Sequence, residues 1–302
     1  MYFIIKFAFA FTYSYMDIQN QMKRHETSLF LQVIKGIGQI MLQDNVFTGI
    51  IILSGIFYGS LTMGLAALLG SVSGTLVARV LKYKPSDINS GLYGFSAALV
   101  GVGIATFFKP YFVMWILIIA GSAMAAMIQH FFIKREIPVY TLPFVLISWL
   151  ALYFAGLYYP DILVDVTPTS VNEVNNYDFA LKSFGQVIFQ DNLVSSACFI
   201  IAVFFSSPVA AVYGLAGAVL ASFIAFHLSY PAMDINNGLY GFNVVLCAIT
   251  FAGTSLKDGI WVLVATTCSF IVSLIMIHFG WMQLTFPFVL ASMGTYYLKK
   301  AY

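Results

Sequence analysis

Residues 87–95 read DINSGLYGF, and residues 234–242 read DINNGLYGF. The second copy begins 147 residues after the first (234 − 87). Working outward, residues 38–45 read GQIMLQDN and residues 185–192 read GQVIFQDN, again 147 apart. TLPFVL begins at Thr141 and TFPFVL at Thr285, 144 apart. Three blocks in one order at nearly one offset do not recur by chance. They define an internal repeat, and a repeat is sought before any other feature because missing it misreads the fold. The reading divides the chain into an N-terminal segment (1–24), a first repeat (25–157), a linker (158–175) and a second repeat (176–302). The linker is polar and acidic, as a solvated loop is.

The 302 residues are 61% hydrophobic and only 9% charged, with 17% aromatic. Soluble domains carry roughly 25% charged residues, so this surface must face lipid. The aromatic content fits interfacial belts. A net charge of +2, with no basic tract, argues against a nucleic-acid partner. Cys198, Cys247 and Cys268 lie in apolar runs at no metal-ligand spacing and read as small buried hydrophobes. The first residues, MYFIIKFAFAFTYSY, lack a small-residue cleavage site and are short for a span, so Met16 or Met22 is an alternative start to Met1.

Apolar runs near 45–60, 61–82, 91–108, 111–133 and 137–157 recur near 192–206, 208–227, 238–255, 259–279 and 283–298. Each half opens with a shorter stretch, 29–43 or 176–190, that contains Gly and Gln. These two read as half-membrane helices, which are tolerated where protein or a watery cavity surrounds them. The expected fold is therefore all-α, with ten transmembrane helices and two half-membrane re-entrant helices. Five spans per half is an odd number, so consecutive halves sit inverted. With both termini cytoplasmic, that side receives Lys23, Arg24, Arg79, Lys82, Lys84, Lys134, Arg135, Lys257, Lys299 and Lys300. The opposite side receives Lys109, Lys182 and the acidic linker, as the positive-inside rule requires. Inverted repeats put a solute path at the repeat interface near the midplane.

The paired blocks carry the candidate chemistry. Gln39 and Gln186 offer an acceptor and two donors each without charge; they either line a path at mirrored depths or tie down the ends of half-helices. Thr141 and Thr285 precede a proline step and either form a polar ring at one depth or bond back to their own helices. Gly91, Gly94, Gly238 and Gly241 mark close backbone approaches. Phe95 and Phe242 end the GLYGF blocks; facing rings would make a slot for a flat solute, and the plain alternative is packing. Asp44, Asp191, Asp87 and Asp234 are paired, sit beside Asn and read as caps of helix N-termini. There is no phosphate-binding Gly-Lys-Ser/Thr loop and no catalytic or metal-ligand constellation, which argues against an ATP-driven pump, an enzyme or a cofactor. An uncharged path points to a neutral solute moving downhill.

From about residue 25 onward the chain resembles the urea transporter family, trimeric channels of bacteria and of vertebrate kidney and red cells. GQIMLQDN with GQVIFQDN, the two GLYGF blocks, and TLPF with TFPF carry the resemblance. It implies a homotrimer in the cell membrane (the inner membrane in a Gram-negative source), with one pore per protomer and urea or a similar small neutral solute as cargo. By motif position the filter's polar residues would be Gln39 and Gln186, and its central hydroxyls Thr141 and Thr285. Its slot aromatics would be Phe95, Phe242 and Phe189, and its neighbouring walls Ile40, Val187, Leu99 and Leu246. One departure stands out: the position equivalent to Phe189 is Leu42, so one slot would hold a single ring and an aliphatic wall. Other amides, ammonia or water are the alternative solutes, and an ion-coupled secondary transporter is the alternative class.

Overall fold

The computed structural model describes residues 27–164 and 178–302. The N-terminal segment 1–24, with its alternative starts, and most of the linker lie outside the described residues. Among the described residues every regular element is helical, apart from one isolated bridge between Phe108 and Leu163.

The first half runs α1 (Leu29–Gln39), α2 (Val46–Gly59), α3 (Leu61–Val80), α4 (Pro85–Asn89), α5 (Phe95–Phe107), α6 (Phe112–Ile133) and α7 (Leu142–Tyr158). The second runs α8 (Phe179–Gln186), α9 (Leu193–Ser206), α10 (Pro208–His227), α11 (Ala232–Asn236), α12 (Phe242–Phe251), α13 (Leu256–His278) and α14 (Phe286–Ala301). The element order is the same in both. Four helices, α3, α6, α10 and α13, are long and apolar enough to cross a membrane unaided. The others are shorter. At 1.5 Å per residue, α1 is about 16 Å long and α8 about 12 Å, far less than the ~30 Å hydrocarbon core.

Local sequence sets the breaks. Asn45 caps α2, accepting from the amides of Phe47 and Thr48, and Asn192 caps α9, accepting from Ser195. The neighbouring aspartates were expected to cap, and they do not. Asp44 instead pairs with the buried Lys35 of α1 at 2.8 Å. An asparagine amide caps without burying a charge, which leaves the aspartate free for the lysine. Gly91 and Gly238 both adopt φ +75, where a side chain would be strained. A Cβ on Gly91 would fall on the amide nitrogen of Gly36, and one on Gly238 on that of Ser183. The GLYGF blocks therefore lie directly against the short helices α1 and α8.

The halves meet mainly through α2 against α9, with α7 against α14 beside them. The Thr48 hydroxyl donates to the Ala202 carbonyl at 3.2 Å, and the Ser195 hydroxyl to the Gly55 carbonyl at 2.6 Å. Residue 48 matches 195 and residue 55 matches 202 at the 147 offset, so the contact is reciprocal. That reciprocity is what a two-fold relation between the halves requires. The core runs through both halves as one cluster, with Ile37, Leu99, Phe144, Phe184, Leu246 and Phe288 all buried. On the outside, Leu65, Phe112, Ile116, Leu220, Phe223 and Leu263 are exposed. So much bare apolar surface suits lipid and not water. Cys268 belongs to that exposed set, contrary to its reading as a buried hydrophobe; Cys247 is buried and Cys198 half-buried.

Candidate functional site

The site is built where the N-termini of α7 and α14 converge. Thr141 and Thr285 are the N-cap residues of these helices, yet neither side chain makes a cap hydrogen bond. Their hydroxyls bond each other instead, Oγ1 to Oγ1 at 2.7 Å, and both residues are buried. Bonding back to their own helices is thus not what these threonines do. The prolines also differ from expectation. Pro143 and Pro287 fall in the first turn, where a helix tolerates proline because that N–H lacks an intrahelical partner anyway. They start these helices and do not break them.

Two hydroxyls joined by one hydrogen bond keep one O–H free to donate and several lone pairs free to accept. Two helix N-termini also bring partial positive charge to the same point. The place suits a neutral molecule with a strong carbonyl acceptor and disfavours a bare cation.

On the first-half side of this pair lies a cavity of about 200 Å³. Gln39, Ile40, Leu42, Phe95 and Thr141 line it, all from the sequence-derived set, and none of its lining residues is charged. Gln39 ends α1, where its Nε2 donates to the Ser90 carbonyl at 3.0 Å. That anchor uses one N–H of the amide and leaves the other N–H and the oxygen open. Leu99 follows Phe95 by one turn of α5 and is buried in the core without lining the cavity. Gln186, Val187, Phe189, Phe242 and Leu246 belong to the second half and do not line it either. The Phe189 ring sits edge-on to Phe107 at 5.6 Å and to Phe144 at 6.1 Å.

Among the cavity residues that the sequence reading did not single out are Tyr140, Phe288 and Gln129. The Tyr140 ring meets Phe288 edge-on at 5.2 Å. Phe288 is the fourth residue of TFPF and matches Phe144 in TLPF, so the repeated blocks held its signal. Tyr140 matches Leu284, and Gln129 matches Ser273, so neither is repeated.

The backbone is strained at this place and at its counterpart. Leu42 (φ 58) and Phe189 (φ 55) follow the short helices α1 and α8, and Tyr140 (φ 47) and Leu284 (φ 44) precede the threonines. Non-glycine residues held at positive φ cost on the order of 1–3 kcal/mol each and cluster at functional sites. Here the strain recurs at matched positions.

Among the described residues, an all-helical body with apolar flanks and a buried uncharged polar site where its two halves meet defines a multi-pass membrane protein. The family model for "UT: Urea transporter" matches residues 30–300, and the chain belongs to the urea transporter family. It is 32% identical to "Urea transporter 1" of Rattus norvegicus over 239 residues, covering 73% of this chain and 62% of that protein. Against "Urea transporter 1" of Capra hircus it is 32% identical over 240 residues, with the same 73% and 62% covered. The match to the Mus musculus protein of the same name is 31% over 242 residues, again 73% and 62%. The matched region therefore spans less than two thirds of the length of these curated relatives.

Proposed function

We propose that this chain is a passive channel for urea, with the solute crossing at the contact between its two halves. The observation that carries this reading is the buried Thr141–Thr285 hydroxyl pair, 2.7 Å apart, of which Thr141 lines a cavity bordered by no charged residue. Urea is planar and neutral, with two amino groups and one carbonyl. Its edges need hydrogen-bonding oxygens and its faces need apolar walls, and the hold must be weak enough to release. The names of the mammalian relatives support the solute.

In this reading ten helices span the membrane, α1 and α8 enter halfway, and the halves are inverted with both termini cytoplasmic. Gln39 and Gln186 receive the solute on the two sides of the threonines. Phe95, Phe242 and Phe189 flank it, with Leu42 as an aliphatic wall. Ile40, Val187, Leu99 and Leu246 back these side chains. Each protomer of a homotrimer holds its own path. Lys35 and Asp44 neutralise each other as an ion pair, so they offer no unpaired charge to couple an ion.

Purified protein in liposomes, followed by stopped-flow light scattering, tests the reading. Urea should equilibrate faster than through bare lipid and never rise above the external level. Accumulation driven by a proton or sodium gradient would overturn the passive mechanism, and acetamide outrunning urea would overturn the choice of solute.

A further inference from the structure

The threonine pair leaves a helix end to be capped by some other residue. An N-cap side chain ordinarily accepts a hydrogen bond from the N–H of the second or third helical residue. Thr285 is the N-cap of α14, and Pro287 at the second position has no N–H, so Phe288 at the third carries the amide that a cap would serve. The Thr285 hydroxyl is bonded to Thr141 instead. Asn243, in the first turn of α12, performs that task from another helix: the Phe288 N–H donates to its Oδ1 at 3.2 Å.

The same amide holds the residue before the threonine. Asn243 Nδ2 donates to the Leu284 carbonyl at 3.1 Å and to Gln283 Oε1 at 3.4 Å. Leu284, at φ 44, is the left-handed residue that turns the chain into Thr285. Asn243 is only 1% exposed, and its oxygen and both amide hydrogens are all committed. Its bonds fall on both sides of Thr285 along the chain. The first half has no such brace from the matched place: Ser96 matches Asn243 at the 147 offset, and its buried hydroxyl has no hydrogen-bond partner.

We infer that Asn243 is a positioning residue for solute passage: by capping α14 in place of Thr285 and by holding the Leu284 carbonyl, it keeps the Thr285 hydroxyl turned toward Thr141. This rests on the reading of the chain as a urea channel with the threonines on its path. Asn243 does not line the cavity and acts through Thr285. Without the asparagine, the Phe288 N–H loses its acceptor, and the Thr285 hydroxyl stands in the place from which an N-cap accepts that bond. The hydroxyl then turns back to its own helix, the pair is broken, and a crossing solute meets one hydroxyl fewer.

The test is urea flux through liposomes carrying Asn243 variants, each made in the wild-type and in the Thr285→Val background. Asn243→Leu keeps the size of the side chain and removes its hydrogen bonds; it should slow urea about three- to tenfold, the loss of one hydrogen bond to the solute. Asn243→Ser installs the residue that the first half carries at the matched place and should slow urea by a similar factor. In the Thr285→Val background no hydroxyl is left to position, so either substitution should slow urea further by less than about 1.5-fold, the non-additivity of residues that act as one unit. A residue that only steadies the bundle would slow flux by the same factor in both backgrounds, and that result would overturn the inference. Unchanged flux in the folded Asn243 variants, or in Thr285→Val itself, would overturn it too. The control Ser96→Ala removes a hydroxyl that holds nothing and should leave urea flux unchanged; a fall as large as that of Asn243→Ser would mark a general sensitivity of these helices and count against Asn243. If Asn243→Leu fails to elute as folded protein, Asn243→Ser decides alone in the same two backgrounds. Wild-type vesicles that carry no urea would overturn the functional reading itself, an outcome visible before any variant is compared.

Discussion

At the two left-handed positions that flank the site, the halves carry the same kinds of side chain in opposite order. The first half has Leu42 after its short helix and Tyr140 before its threonine. The second has Phe189 and then Leu284. Each half thus contributes one ring and one leucine. The Tyr140 ring packs on Phe288, and the Phe189 ring packs on Phe144, the residue that matches Phe288. Tyr140 and Leu42 both line the first-half cavity, so a ring stands in the same wall as the leucine.

Away from the threonines the halves diverge further. Lys35 is paired with Asp44, whereas among the described residues Lys182 and Asp191 form no ion pair. The Tyr93 hydroxyl meets His130 Nδ1 at 3.0 Å, while the matched Tyr240 hydroxyl is buried without a partner. Arg79 holds Gln32 at 2.8 Å and the Thr27 carbonyl at 2.9 Å, and phenylalanine stands at both Phe226 and Phe179 in the other half. The two-fold relation is kept where backbones touch and where the threonines meet, and it is relaxed at the two ends. The contact between the halves is thus symmetric at its centre and unlike at its two ends.

This comparison breaks or sharpens under substitution, and the largest effect belongs to the ion pair. Asp44→Asn strands Lys35, whose side chain is 8% exposed. Leaving that charge uncompensated should cost about 3 kcal/mol of stability. Asp191→Asn touches an exposed carboxylate with no ion-pair partner among the described residues and should stay within about 0.5 kcal/mol. Thermal unfolding in detergent measures both, and equal losses would mean that the halves are not anchored differently.

The threonines make the opposite demand. Thr141→Val and Thr285→Val each keep the shape and remove one hydroxyl of a shared pair. Each should slow urea by roughly five- to thirtyfold, corresponding to about 1–2 kcal/mol for a lost hydrogen bond. The two slowings should agree with each other because the pair lies where the halves meet. Unchanged urea flux in the folded double variant would show that the hydroxyls serve only to join α7 to α14. The smallest effect is expected at Tyr140→Phe. The ring, not the hydroxyl, makes the recorded contact with Phe288, so urea flux should stay within about twofold, less than ~0.5 kcal/mol. A larger drop would assign the Tyr140 hydroxyl a direct part in holding the solute.

Much of this molecule was legible in its sequence for a physical reason. A low charge content leaves no choice but lipid for the outer surface. Two copies of one pattern force matched helices, and polar residues kept in both copies, Thr141 with Thr285 and Gln39 with Gln186, mark themselves against an apolar background. Gly91 and Gly238 announce close backbone contact because other residues are strained at that φ. What the sequence could not determine is whatever depends on elements distant in the chain and not repeated. The offset shifts from 147 to 144 because α12 is three residues shorter than α5. Only the tertiary packing then sets Tyr140 on Phe288, pairs Lys35 with Asp44 and not Asn45, and turns two threonine hydroxyls toward each other. Gln129 is the clearest case. On α6 it is a lone glutamine near the end of a helix, with no copy to flag it. Only the packing of α6 brings it into the lining of a cavity beside Gln39.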